Sequence, residues 1–273
     1  MRPWLTVDSD DLRHLPKFQG HPRRSKPIAQ ERISSTFQLG MQRFSEWLDT
    51  HNFPVTMFVI ADQLEDAIFS MWLKEQIQKH PHLTIGCHGF SHRSWSAWKP
   101  DPALFSSQLE LATMKLRDFA GQAWRPYFRA PAGYVASWMA PVIAEHGYTI
   151  DSSVNQSWLV NNKFGKGENW KKVLQSLEHE GLDVRPWLCR FGLPTCGPAL
   201  TLPVLRTIAR ATWKKLDRPV QAKDAEVTVY WHILDHARKQ GHWLPPIPID
   251  LWQTKTIDSR QESKQPVSRR LVP

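Results

Sequence analysis

The run Pro54-Val-Thr-Met-Phe-Val-Ile60 is almost wholly apolar and rich in β-branched residues. A strand buried on both faces reads this way, and such strands belong to parallel sheets covered by helices. The flanks agree. Upstream, Phe37, Met41, Phe44, Trp47 and Leu48 recur at helical spacing, and Asn52 marks the stop. Downstream, a helix is expected over 64–79, with Leu64, Ile68, Met71, Trp72 and Ile77 as its core-facing set, followed by the strand Leu83-Thr-Ile-Gly-Cys87. The alternation continues through a helix at 102–119 carrying Leu104, Leu109, Leu111 and Leu116, a short strand at Pro126–Arg129, a helix at 136–145 and a strand at Tyr148–Asp151. Trp4–Asp8 reads as the first strand and Val227–Trp231 as the last, with His232 at its end. Strands alternating with helices indicate parallel βαβ units, hence an α/β sheet or barrel.

The periodic signal weakens elsewhere. Leu12 to Ser34 is a long polar segment of the kind that often carries function. Between 156 and 226, helices are expected at 168–179 and 202–215, leaving open whether this region closes the barrel or lies over it. The domain division is a catalytic unit at 1–244 and a proline-rich, basic, mobile tail at 245–273.

With 273 residues, 14 Trp and 12 Phe, the chain buries a full core, which excludes a disordered protein. Three cysteines, Cys87, Cys189 and Cys196, are too few and too oddly spaced for a disulfide scaffold or a zinc ribbon. No apolar run is long enough for a transmembrane segment, and the N-terminus lacks a signal-peptide pattern, so a cytoplasmic protein is expected. The formal net charge of +9 points to an anionic partner or simply to a basic surface. No nucleic-acid recognition motif accompanies it, so no nucleic-acid partner is expected. One basic knot, His21-Pro-Arg-Arg-Ser-Lys26, lies in the early loop.

In parallel α/β architectures functional side chains gather at the carboxyl ends of strands. Here those ends carry Asp8-Ser-Asp10-Asp11, His88-Gly-Phe-Ser-His92, Arg129-Ala-Pro-Ala-Gly133, Asp151-Ser-Ser153 and His232. Core packing alone does not explain that set. His88 and His92 share a face if the chain turns helically, which suits a divalent metal completed by a nearby carboxylate. Asp8 and Asp10 project to the same side of an extended segment, so one can bind metal while the other handles a proton. Asp11 is read as a cap or turn former.

The ordered succession Leu5–Asp10, Pro54–Ile60, Ile85–His92, Phe128–Gly133 and Gly147–Val154 resembles the polysaccharide deacetylase family, carbohydrate esterase family four, and in particular its cytosolic branch in surface-polysaccharide biosynthesis. The resemblance spans about residues 4–155. It implies a distorted (β/α) barrel with about seven parallel strands. It also implies a metal-dependent hydrolase that removes acetyl from an N-acetylated sugar. By position, Asp8 matches the catalytic base, Asp10, His88 and His92 the metal ligands, and Arg129 the arginine that holds the base. Asp151 matches the acid that tunes the catalytic histidine. That histidine is His232, the general acid, with His236 as the alternative. Ala132 matches the residue whose N–H meets the oxyanion.

The resemblance further implies one divalent metal ion, zinc first, with cobalt or nickel as alternatives. The partner it implies is an N-acetylated saccharide; the missing signal-peptide pattern and the basic knot Arg23, Arg24 and Lys26 suggest a nucleotide- or lipid-diphosphate-linked precursor, with peripheral membrane contact allowed. Two positions depart from the family pattern. Ala132 stands where an aromatic is common, with Tyr134 as a substitute groove wall, and Tyr230 replaces an aliphatic residue beside the acetyl pocket. Trp95, Trp98 and Trp158 follow active-end motifs and either stack on sugar or pack, and Cys87 is read as a small core residue. Two other functions remain open: hydrolysis of a non-sugar linear or cyclic amide, and an inactive carbohydrate-binding protein.

Overall fold

The computed structural model describes residues 1–26 and 33–238. The expected tail at 245–273 lies outside them. Seven parallel strands form one curled sheet in the order β6-β5-β4-β3-β2-β1-β9. They are β1 (Pro3–Asp8), β2 (Val55–Val59), β3 (Leu83–Cys87), β4 (Trp124–Phe128), β5 (Ile150–Asp151), β6 (Asp183–Val184) and β9 (Val227–His232). A small antiparallel pair, β7 (Cys189–Arg190) and β8 (Leu193–Pro194), stands apart. The helices are α1 (Ser35–Thr50), α2 (Ala67–Lys79), α3 (Pro102–Ala120), α4 (Ala140–Glu145), α5 (Trp170–His179) and α6 (Pro203–Trp213). This is the distorted barrel, a curled half-barrel ringed by helices.

The curl continues past β6. A bridge between Trp187 and Thr228, with Leu188 N donating to Thr228 O at 2.8 Å, brings the chain back against β9. Within the 156–226 region, residues 183–188 therefore join the sheet rather than lie over it.

Side-chain alternation along β1 sorts the two sides of the sheet. Leu5 and Val7 face the helices and join a core with Phe37 and Phe44 of α1, Phe69 and Leu73 of α2, and Phe105 and Leu109 of α3. Each fully buried Leu or Phe contributes roughly 1.5–3 kcal/mol relative to exposure. Trp4, Thr6 and Asp8 face inward. Trp4 packs among Phe58, Ile150 and Tyr127, and Thr6 lies above it as a partner of Arg129. Asp8 is thus the top of an interior column, at the carboxyl end of the barrel.

For helix α2, the expected set at 64–79 holds in part, with Leu64, Trp72 and Ile77 packed against the core. Ile68 and Met71 are 53% and 74% exposed, while Phe69, Leu73 and Gln76 are buried. Asp66 caps this helix, accepting from Ile68 N and Phe69 N, so the helix starts at Ala67 and Leu64 falls in the preceding 3-10 turn. With apolar residues around the whole circumference, the periodicity did not single out a face, and the bulk of Phe69 settled it. In α3, likewise, Leu104 and Leu111 are exposed whereas Phe105, Leu109 and Leu116 are buried.

Candidate active site

The chemistry-bearing strand ends converge on one cleft of about 260 Å³, lined by Asp8, Asp10, His88, His92, Tyr230 and His232 among others. Ala132 and Tyr134 line it too. Trp158 does not; it is 61% exposed, and its ring lies beside Gly192. Trp187, which the sequence reading passed over, supplies an aromatic wall, its ring 4.2 Å from that of Tyr230. Trp95 is core, packed against Phe105, and Cys87 is buried with its thiol pushed up to about 11 by burial.

Arg129 organises the floor. It is fully buried, and its guanidinium donates to Asp8 Oδ1 at 2.6 Å, Thr6 Oγ1 at 2.8 Å, Ser152 Oγ at 2.9 Å and Ser152 O at 3.1 Å. The Phe58 ring lies 4.1 Å below it. A buried cation so fully engaged fixes the orientation of the carboxylate it pairs with.

Asp10 sits between the two histidines. Its Oδ1 lies 2.7 Å from His92 Nε2 and its Oδ2 lies 3.3 Å from His88 Nε2. One ligand atom from each of the three residues falls within 4.8 Å of the others. His88 Nδ1 is 2.8 Å from the Arg129 carbonyl, which holds Nε2 toward Asp10. Such outer-shell support is how metal-binding histidines are oriented. Burial opposes charge on Asp10, but His92 and His88 outweigh it and hold the carboxyl well below its usual value. Beyond these contacts within the Asp-His-His cluster, Asp10 Oδ2 and His92 Nε2 are buried without a hydrogen-bond partner. Two nitrogens and a carboxylate, facing one another with unfilled capacity, fit a divalent cation.

Asp151 does not meet His232. Its carboxylate accepts from Ser153 N and Ser153 Oγ, both at 2.8 Å, and Ser153 Oγ in turn accepts from Ala130 N at 2.8 Å. Asp151 thereby braces the loop after Arg129, while burial pushes its carboxyl up to about 6. The acid that meets His232 is Asp235. Its Oδ2 accepts from His232 N at 2.9 Å and lies 3.0 Å from His232 Nδ1. Burial works against charge on His232, but Asp235, with Asp10 and Asp8 behind it, raises the imidazole to about 9. The reason for the exchange is local: β9 runs straight into a 3-10 turn, Ile233–Ala237, whose capping box brings residue 235 back over 232. The histidine followed three residues later by an acid was the available signal.

His236 is occupied elsewhere. Its Nε2 accepts from Trp231 Nε1 at 2.9 Å, its ring packs on Phe44, and burial lowers it to about 4. Between the two candidates, His232 is the one in the cleft. Asp11 caps the Leu12–His14 turn, as expected, and also accepts from Ser34 N at 2.7 Å.

Ala132 has φ of 51°, in the left-handed region that a side chain disfavours by about 1–2 kcal/mol. Lys163 Nζ donates to its carbonyl at 2.7 Å, pinning that peptide at the cleft wall. No sequence motif marked Lys163, because it comes from a turn (Trp158–Lys163) in the weakly patterned region.

Comparisons with known proteins bear on the family and the fold. Residues 26–150 match the family model for polysaccharide deacetylase. The fold resembles a "putative polysaccharide deacetylase" from Mycobacterium smegmatis at 15% identity, with a TM-score of 0.57 over 100% of this chain and 93% of that one. A CE4 esterase from Streptococcus mutans aligns at 13% identity and a TM-score of 0.48, covering 93% of this chain and 82% of its own. A CE4 family pseudoenzyme from Bacillus anthracis aligns at 11% identity and a TM-score of 0.42, covering 96% and 61%. No curated protein matches the chain. Among the described residues no helix is long and apolar enough to cross a membrane.

Proposed function

We propose that this chain is a polysaccharide deacetylase: a hydrolase that removes acetyl from the nitrogen of an N-acetylated sugar, with one divalent ion held by Asp10, His88 and His92. The observation that carries this reading is the meeting of a paired carboxylate, a vacant-capacity Asp-His-His cluster and an acid-backed histidine in one cleft. The donor set suits zinc, with cobalt or nickel as substitutes. When bound, the ion supplies Lewis acidity toward the acetamide carbonyl and toward water.

The chain's own residues then divide the work. Asp8, held by Arg129, takes the proton of the attacking water. The Ala132 N–H, one peptide before the Ala132 carbonyl that Lys163 holds, meets the oxyanion, where a preorganised donor is worth about 10²–10³ in rate. His232, its Nδ1 turned to Asp235, gives a proton from Nε2 to the departing nitrogen. Trp187 and Tyr230 confine the acetyl end of the cleft.

The proposal extends to a surface-polysaccharide precursor and to the cytoplasm, where its three free cysteines would persist as thiols. The catalytic unit is taken as 1–244 and the tail as 245–273. Acetate release from a panel of N-acetylated sugars tests the activity. Asp8→Asn is expected to lower the rate by about 10²–10⁴; release at the wild-type rate contradicts the mechanism.

A further inference from the structure

Beside the catalytic cleft lies a larger cavity of about 760 Å³. Arg24 and Tyr134 line both, so the two adjoin at these side chains. Its lining includes four cations, Arg23, Arg24, Lys99 and Lys166, against a single acid, Glu168. Glu168 is already engaged, accepting from Ser137 N at 2.8 Å and lying 3.8 Å from Lys172 Nζ. Lys163 adds a fifth positive charge at the shared end.

The loop that carries the arginines is a fixed part of the site. Gly20 sits so close to the backbone of His92 that a Cβ there would fall 1.9 Å from the His92 carbonyl oxygen, and its φ of +78° suits glycine. The Gly20 carbonyl accepts from Ser94 N at 2.9 Å and from Trp98 Nε1 at 2.8 Å. His21 Nδ1 accepts from Arg23 N and Arg24 N, both at 3.2 Å, and the His21 ring packs edge-on against Tyr134. Burial and the two arginines hold His21 below its usual value, consistent with this accepting role. Arg24 Nη1 donates to the Tyr134 hydroxyl at 3.1 Å, so among the described residues its guanidinium meets a neutral group and no carboxylate. Of the basic knot, Lys26 does not line the cavity; its backbone N instead donates to Lys17 O.

We infer that this cavity is a subsite for an anionic substituent, phosphoryl or carboxylate, borne by the saccharide whose acetamide occupies the catalytic cleft. The inference rests on the deacetylase reading for its substrate and on the cation-lined cavity for its charge. Positive groups held on an anchored loop, short of acidic partners, recognise phosphate and carboxylate oxygens through charge-assisted hydrogen bonds. An anion there would also relieve the repulsion from Arg24 that, after burial, lowers Lys163 to about 8.

Binding of probes without an acetamide tests this independently of turnover. Glucose 1-phosphate, glucuronate and methyl glucoside are titrated into the full chain by calorimetry, with wild type beside the Arg24→Gln/Lys166→Gln variant. At least one anionic probe is expected to bind about tenfold tighter than methyl glucoside, to lose that advantage in the variant and to weaken with added salt. Tighter binding of the phosphate probe identifies a phosphoryl subsite, and tighter binding of glucuronate a carboxylate one. Equal binding of all three, no binding of any, or an anionic preference that survives in the variant would overturn the inference. Failure to release acetate from any N-acetylated sugar would instead sink the deacetylase reading while leaving the titrations to stand.

Discussion

Asp235 Oδ2 is shared by the backbone N–H and ring Nδ1 of one residue, His232, at 2.9 and 3.0 Å. Both belong to a single turn, so the acid is carried to the histidine by three residues of chain rather than from another strand. The arrangement fixes the ring with Nδ1 toward the carboxylate, leaving Nε2 to the cleft.

Asp235→Asn should leave KM nearly unchanged and lower kcat on the best N-acetylated substrate by about 10²-fold, because the histidine loses the charge that supports its protonated form. Asp151→Asn, which alters the brace under the Arg129 loop, is expected to cost less in kcat. Steady-state kinetics on the two variants separates them, and the opposite ranking would return the tuning role to Asp151.

Arg129 is the second expectation. Its guanidinium makes four hydrogen bonds with no exposure, so removing it leaves Asp8 buried and unpaired. Arg129→Met should destabilise the fold by about 3–5 kcal/mol in urea denaturation. Arg129→Lys keeps the charge but not the planar fork, and should recover only part of that loss.

His236 gives a pH dependence. Its folded value is lowered to about 4 from 6.5, so between those limits the unfolded chain binds more protons than the folded one. Its contribution is fully present above pH 6.5 and is lost as pH falls through 4, at up to about 1.4 kcal/mol per unit. Asp62 and Asp151, both raised to about 6, act in the opposite sense, favouring the fold at low pH. Comparing wild type with His236→Gln by denaturation at pH 7 and pH 5 isolates the histidine. The wild type should lose more stability on acidification; equal losses would contradict the assignment.

The parts of the fold legible in sequence are those where one local pattern has one structural solution. Pro54–Ile60 and Leu83–Cys87 could be placed because runs buried on both sides leave no ambiguity of face, and the strand ends followed. Of the set expected at 64–79, Leu64, Trp72 and Ile77 pack against the core while Ile68 and Met71 do not, because apolar residues ring the helix and only packing chose Phe69 and Leu73 over those two. The cluster Asp8, Asp10, His88, His92 and Arg129 is visible because each residue lies at, or within five residues after, the carboxyl end of a strand. Asp235, Trp187 and Lys163 were not singled out. They enter from a turn and from a region of short elements, where position depends on contacts distant in the chain.

The central claim is that Asp10, His88 and His92 hold a divalent ion, and metal content measures it most directly. Tag-free wild-type protein, purified without chelator, is compared by mass spectrometry with the His88→Ala/His92→Ala variant. The account predicts about one zinc, cobalt or nickel ion per wild-type chain and essentially none in the variant. A wild-type chain without metal, even after reconstitution, or a variant that retains a full equivalent, would contradict it.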